Sequence, residues 1–529
     1  MSWNRYLRYT KWYRLFPGLW TEDSGGDIPQ DQILYQQMVG RAMRRVPGAM
    51  YLERATNVYA PGATSILRTR PGFEKIHATA VSSTGIFTGF VHLGEIADEF
   101  LASMSIAGDK HSIYRYNANP PGELSGGSNP TIGADNLSRP VIFTDGTTPG
   151  AIFTFRLRDA HQFVSGTPTR STLTVAGVGL SSLKAAIAEV FAQRVLYGDV
   201  NVDGTVYDDR VYHTDIRDGN LISDSTTQFL SFETTLKDRV RALRKLSDIC
   251  LVGKLNNIFT MVPTENAGEP FMVQEEPAGR GRGTVSHNAV EEADHKLFWL
   301  GQSNIHSMDQ QFQFRDWADA IQPTIRGLSD SRREVAISGV DVDRSLILFN
   351  VSDSGQSTHD VTIALNYKTG ALYLWDLRRN AFGYREVSGQ IRLVGGGYTG
   401  NSYYEMTGTR GSLDDATAVI GSDVISAKLW VNAYGTKQKI PFILLAMDPI
   451  ASEQLTVTYA LDDEDILTSP RTSTGSPYTM SGNKHKIVLV PIKAVAERIQ
   501  VRIYNNATDA VYLVKGIGVP ALPLQHAFT

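Results

Sequence analysis

Four short segments, Arg344–Val351 (RSLILFNV), Val361–Asn366 (VTIALN), Ala371–Leu377 (ALYLWDL) and Phe382–Val387 (FGYREV), follow one another with turn chemistry between them. In VTIALN the side chains alternate in character, the period of a strand with two unlike faces. Lys368-Thr-Gly370 supplies a turn, and Leu372 and Leu374 then share one face of the returning strand. Four antiparallel strands in about fifty residues is the size of one β-propeller blade.

Working outward, the same rhythm recurs. Lys296–Met308 reads as a hairpin turning at Gly301–Asn304, and Asp248–Met261 as another turning at Lys254–Asn257. Ile86–Leu93, Phe100–Ile106 and His111–Tyr116 are successive strand candidates. Beyond residue 426 the strands lengthen: Ala427–Ala433, Phe442–Met447, Gln454–Leu461, Lys486–Val490 and Arg498–Tyr504 form the pattern of a β-sandwich. One stretch breaks the rhythm. In 181–197 (SSLKAAIAEVFAQRVLY), Leu183, Ile187, Val190, Phe191 and Val195 fall on one helical face behind a serine N-cap, which predicts a helix. The expected fold is therefore mainly β: a β-propeller over 76–425, an inserted α+β segment at about 120–235, and a C-terminal β-sandwich over 426–529. No sequence-identical repeat occurs, so the propeller rests on strand rhythm. Residues 1–75 read as an extended arm that needs another surface to lie on.

Composition narrows the classes. The chain has 529 residues, 51 Lys plus Arg against 55 Asp plus Glu, and a formal charge of −4, which excludes a uniformly basic nucleic-acid binder. A single cysteine, Cys250, sits in an apolar run and excludes an intrachain disulfide framework or a Cys-ligated metal site. No run reaches 18 apolar residues and the first residues lack the apolar core of a secretory signal, so the chain reads as soluble and made in the cytoplasm.

Three motifs carry candidate chemistry. Asp199-Val-Asn-Val-Asp-Gly204 places oxygen atoms of Asp199, Asn201 and Asp203 at the first, third and fifth positions of a calcium loop. Arg210 stands where that loop needs a bidentate carboxylate, and the alternative is an Asp-Gly turn joining two strands. In the N-terminal arm, Trp3, Tyr6, Tyr9 and Trp12 interleave with Arg5, Arg8, Lys11 and Arg14. Such a pattern suits stacking and phosphate contact with nucleic acid, a membrane interface, or docking on a neighbouring subunit. In Gly279-Arg-Gly-Arg-Gly283, Arg280 and Arg282 are candidates for contact with DNA phosphates, although the loop opens no helix and fails as a dinucleotide cradle. No nucleophile elbow, zinc-helix motif or phosphate-loop motif is present, and the chain is expected not to be an enzyme and to need no cofactor besides that calcium. The acidic pairs Glu275-Glu276 and Glu291-Glu292 point to opposite strand faces and read as solvated loops.

Several short pieces resemble a known family. Asn57-Val-Tyr59 followed by Arg68-Thr-Arg-Pro-Gly-Phe73, then Lys296-Leu-Phe-Trp-Leu-Gly301 with Ile305–Asp309 and Ile321-Gln-Pro323, then Asn366-Tyr-Lys-Thr-Gly370 with Trp375, are similar to elements of the tail nozzle or tail hub β-propeller proteins of short-tailed bacteriophages. The pieces span roughly residues 50–390. The resemblance implies a structural virion protein, assembled as a homohexameric ring below the portal and adaptor. The ring's lumen would form part of the exit channel for double-stranded DNA and retain the genome until ejection. It implies a location in the virion tail after synthesis in the host cytoplasm, with other tail proteins as partners. Two further classes fit a propeller with a sandwich: a glycosidase or lyase, and a receptor-binding tail adhesin.

Overall fold

Valine, isoleucine and aromatic residues recur at strand period through most of the chain, and the regular elements of the computed structural model are nearly all strands. It describes residues 10–14, 52–59 and, with interruptions, 67–520. The chain divides into two units. One comprises residues 75–363 and 377–406; the other comprises 1–74, 364–376 and 407–529.

The first unit is a seven-bladed β-propeller. Its innermost strands, in chain order, are Ile86–His92, Val141–Asp145, Leu180–Phe191, Ala242–Leu246, Val290–Ala293, Ile337–Asp341 and Ala381–Val387, and the blades are numbered 1 to 7 from them. Blades 1, 2, 4 and 5 are four-stranded antiparallel meanders; blade 3 has six strands, two of them, Val175–Gly177 and Leu221–Ile222, paired in parallel on the side of Leu180–Phe191 away from its hairpin partner. Apolar side chains from facing sheets fill the seams from blade 1 to blade 5: Leu101 with Phe153 and Phe163 between blades 1 and 2, Phe143 with Tyr197 between 2 and 3, Ile187 with Leu243 between 3 and 4, and Leu246 with Trp299 between 4 and 5. Ala381 and Val394 of blade 7 share a cluster with Phe87 and Phe90 of blade 1, which closes the ring. Each such buried aromatic or branched side chain contributes about 1.5–3 kcal/mol.

Two sequence expectations are corrected here. Residues 181–197 are not a helix. Leu180–Phe191 and Arg194–Val202 are paired antiparallel strands, turning at Ala192 and Gln193 with φ of 48° and 61°. The physical reason is burial on both faces. Leu183, Ala185 and Ala188 face blade 2 while Ile187 and Phe191 face blade 4. A strand apolar on both sides loses its alternation and mimics a helical period. The blade boundary also moves: the sheet holding Leu346–Val351 begins one strand earlier, at Ile337–Asp341, and Ala381–Val387 opens the next blade.

The second unit is a sandwich of two largely antiparallel sheets. One orders Val58–Tyr59, Leu67–Thr69, Tyr512–Pro520, Gln438–Pro449 and Lys486–Ala496; the other includes Leu372–Trp375, Leu52–Thr56, Ser422–Ser426, Arg498–Asn505 and Glu453–Leu461. Tyr459 on the second sheet donates its hydroxyl to the Ile492 carbonyl on the first at 3.3 Å. The arm's strand Thr10–Arg14 pairs with Tyr512–Pro520, so the surface this part of the arm lies on is its own chain's C-terminal strand. Among the described residues no helix is long and apolar enough to cross a membrane.

Candidate functional site

All seven blades contribute to one cavity of about 570 Å³ at the propeller axis. Its charged groups come from innermost strands and the residues just before them. Arg139, ahead of blade 2, pairs with Glu291 of blade 5 at 2.8 Å and donates to the Val290 carbonyl at 2.5 Å. Arg244 of blade 4 lies between Glu189 of blade 3 at 3.5 Å and Glu291 at 3.8 Å. Ser338 of blade 6 donates to Glu291 at 3.3 Å, and the Val340 N–H donates to the Tyr384 hydroxyl of blade 7 at 2.8 Å. These contacts stitch six blades together across the axis.

Burial shapes the titration of this cluster. Burial alone lowers the Arg244 pKa, but the Glu189 and Glu291 carboxylates outweigh it and hold the guanidinium charged. Burial, then Glu291, raises the Tyr384 phenol, which stays protonated. Burial, then Arg139 and Arg244, pushes His287 well below its ordinary value, so its Nδ1 is free to accept the Leu243 N–H at 3.4 Å.

A second network lies among blades 2, 3 and 4 and the turn before blade 6. Asp199 takes Arg156 at 3.1 Å and Arg239 at 3.3 Å; Arg239 also pairs with Glu334, which takes Arg241 at 3.1 Å. Asp199 is the bulged residue of its strand, at φ 49°, and burial raises its pKa against the pull of Arg156 and Arg239.

The candidate calcium loop is a hairpin turn. Asp203 and Gly204 have φ of 50° and 90°, the geometry of a two-residue turn that Asp-Gly suits. Asp203 accepts the Ser181 and Ser182 N–H groups at 3.1 and 2.7 Å, Asn201 accepts the Gly204 N–H at 2.9 Å, and Asp199 serves the arginines. The three side chains thus answer to three separate sets of donors. Among the described residues no group of three or more His, Cys, Asp or Glu is arranged to hold a metal ion.

Arg280 forms a two-point pair with Glu275 at 3.0 and 3.1 Å, and Arg282 a two-point pair with Asp316 at 2.8 and 2.9 Å. Trp299 donates its indole N–H to the Arg282 carbonyl at 2.7 Å, which fixes the loop to blade 5. Arg5 and Arg8 lie outside the described residues; Lys11 stands opposite Val519 and Arg14 opposite Gly516 in the strand pair.

Two of the pieces behind the family resemblance, the one at 57–73 and the one ending at Trp375, come together in the sandwich unit, whereas Lys296–Gly301, Ile305–Asp309 and Ile321–Pro323 lie in the propeller. Asn57 Oδ1 accepts Arg70 Nε at 3.2 Å and the Asp376 N–H at 3.0 Å, while its Nδ2 donates to the Gly421 carbonyl at 2.6 Å. Arg70 pairs with Asp376 at 3.2 Å, and Trp375 donates its indole N–H to the Val58 carbonyl at 2.9 Å.

Sequence reasoning missed the axial cluster and placed Glu291 in a solvated loop. Glu291 is 3% exposed and ion-paired, whereas its neighbour Glu292 is exposed, so the opposite-face reading held and the loop reading is corrected. The available signal was a lone acid inside an apolar strand, as at Glu189 in KAAIAEVF.

No family model matches the sequence, and no curated protein matches it. Similar solved structures include a catalytically inactive virginiamycin B lyase from Staphylococcus aureus with quinupristin: 11% identity, TM-score 0.39, 63% of this chain and 98% of that one covered. The Pan2 WD40 domain of Neurospora crassa gives 7% identity and a TM-score of 0.36 over 61% of this chain and 90% of that one. Scores this low carry nothing about activity; the propeller is read from this chain's own sheet order.

Proposed function

We propose that this chain is a structural virion protein, the ring-forming nozzle or hub subunit of a short-tailed bacteriophage tail. The carrying observation is the node of Asn57, Arg70, Trp375 and Asp376. Two pieces of the family resemblance 317 residues apart are joined by the bond from the Trp375 indole to the Val58 carbonyl, with Arg70 and Asn57 both bonded to the adjoining Asp376. A residue set of this kind, held by a left-handed Asn, is costly to assemble by chance. The paired charges along the axis support a rigid building block. The 570 Å³ cavity is a small-molecule volume and no bore for duplex DNA. The DNA path in this reading is the lumen between subunits, and the function is geometric and electrostatic.

Native mass spectrometry and electron microscopy of the full chain test the reading, alone and with portal and adaptor. The expected result is a closed ring, near six times the 58.2 kDa chain mass for a hexamer. A chain that stays monomeric in both settings overturns it.

A further inference from the structure

We propose that the seam between blades 1 and 2 is an acid-operated joint, which opens when its two buried histidines take up protons while the rest of the propeller stays closed. The joint belongs to the propeller itself and does not rest on the ring role.

His111, on Lys110–Arg115 of blade 1, and His161, on Ala160–Val164 of blade 2, are both fully buried, with ring centroids 5.7 Å apart. Among the described residues none of their four ring nitrogens has a hydrogen-bond partner. Buried polar groups are rarely left in that state. The other buried histidines differ. His306 places Nδ1 on Asp316 at 2.7 Å, His359 engages Ser352 and the Val335 carbonyl with its two nitrogens, and His287 accepts the Leu243 N–H. His213 leaves one nitrogen, Nδ1, without a partner.

The groups around the pair oppose a proton on either ring. Phe155 packs on His111 at 4.2 Å and offers no acceptor. Arg170, 4% exposed, donates its guanidinium to the His111 and Gly126 carbonyls at 3.3 and 2.9 Å, so a fixed cation already stands there. The nearby carboxylates are engaged elsewhere: Glu123 accepts the Ser112 hydroxyl at 2.6 Å, Glu99 pairs with Arg115 at 2.8 Å, and Asp159 pairs with Lys184 at 3.3 Å. Burial, then Glu123, raises the Tyr114 phenol, which stays neutral. One proton thus creates a buried N–H donor without an acceptor, and a second adds like charge on the neighbouring ring.

Parting the seam gives both rings to water and relieves this. Burial, then Arg170, lowers His161 to about 4 in the closed seam, against an ordinary value of 6.5. The open form therefore takes up protons that the closed form refuses, and falling pH favours opening. At the rim, Arg115 donates to the Thr167 carbonyl at 2.6 Å and Ser125 bridges to Thr169, contacts that no imidazole charge touches. Inside it, opening bares Leu101, Ile113, Phe153 and Phe163, an apolar face.

Hydrogen exchange of the full chain at pH 7 and pH 5, read by mass spectrometry and corrected for the intrinsic rate, tests this. Exchange over Phe100–Ile106, Lys110–Arg115, Thr148–Phe153 and Ala160–Val164 is expected to rise about thirtyfold for one histidine titrating from 4 to 6.5 on opening. Lys296–Leu300 and Ile305–Asp309 of blade 5, whose His306 has a carboxylate partner, are expected to change much less. The double variant His111→Gln with His161→Gln should lose the rise, and His213→Gln should keep it. The wild-type pattern decides without any variant: no rise by pH 5, or an equal rise in blade 5, overturns the proposal. So does a rise that persists unchanged in the folded double variant.

Discussion

Asn57 has a φ of 54°, the left-handed region that Asn tolerates better than most residues because its short amide bonds locally. The side chain uses that position fully: its oxygen takes the Arg70 guanidinium and the Asp376 N–H, and its nitrogen reaches the Gly421 carbonyl. Two effects therefore reside in one residue, and substitution separates them. Asn57→Gly removes the hydrogen bonds but keeps the backbone relaxed. Asn57→Ala removes the same bonds and also forces a β-carbon into the left-handed region. The expected losses are about 2–3 kcal/mol for glycine, from buried donors left without acceptors, and about 1 kcal/mol more for alanine. Guanidinium unfolding followed by tryptophan fluorescence measures both; equal losses would show that the backbone conformation carries no cost of its own.

Among elements, the hairpin at Asp203-Gly204 shows where a motif and a turn compete for the same letters. A β-carbon at Gly204 would meet nothing within 4 Å, so Gly204→Ala is penalised only through its φ of 90°. The expected cost is about 1 kcal/mol. Asp203→Ala, which strips the acceptor from two N–H groups of blade 3, should lower the melting midpoint as well. Millimolar calcium or a chelator should leave that midpoint where it is, since Asp199, Asn201 and Asp203 are committed to separate partners; a calcium-dependent rise in thermal scanning would restore the metal reading. Val361–Asn366 is buried on both faces, yet it was legible because Thr362 and Asn366 give one face a polar character and alternation survives. Leu180–Phe191 was not, because apolar residues occupy both its faces and period 2 carries no contrast. The axial ion pairs were illegible for another reason: Arg139 and Glu291 stand 152 residues apart, and only the closing of the ring sets them side by side.

At the scale of the whole molecule, the propeller's stability depends on seams between blades, and several seams hold neutral imidazoles. His111 and His161 lie 5.7 Å apart between blades 1 and 2, and among the described residues none of their four ring nitrogens has a hydrogen-bond partner. The groups that face them are Phe155, packed on His111 at 4.2 Å, Arg170, whose guanidinium donates to the His111 carbonyl, and the more distant Asp159. Burial first, then Arg170, lowers His161 to about 4, and burial, His161 and Arg170 push His111 well below its ordinary value. His213, against Phe271 across the seam of blades 3 and 4, is lowered to about 4 by burial and Arg194. In each case the folded pKa lies below the unfolded value of 6.5, so the unfolded chain binds more protons between the two. Stability is therefore complete above pH 6.5 and is lost progressively as pH falls toward 4. The loss from His161 alone is about 2 kcal/mol by pH 5. Denaturant midpoints of the wild-type chain should drop between pH 7 and pH 5, and His161→Gln, which keeps a neutral polar side chain in the seam, should flatten that drop. If wild type and His161→Gln gave the same slope over this range, His161 would be titrating in the folded seam much as it does in water, and the blade 1–blade 2 seam would have to admit a charge without opening.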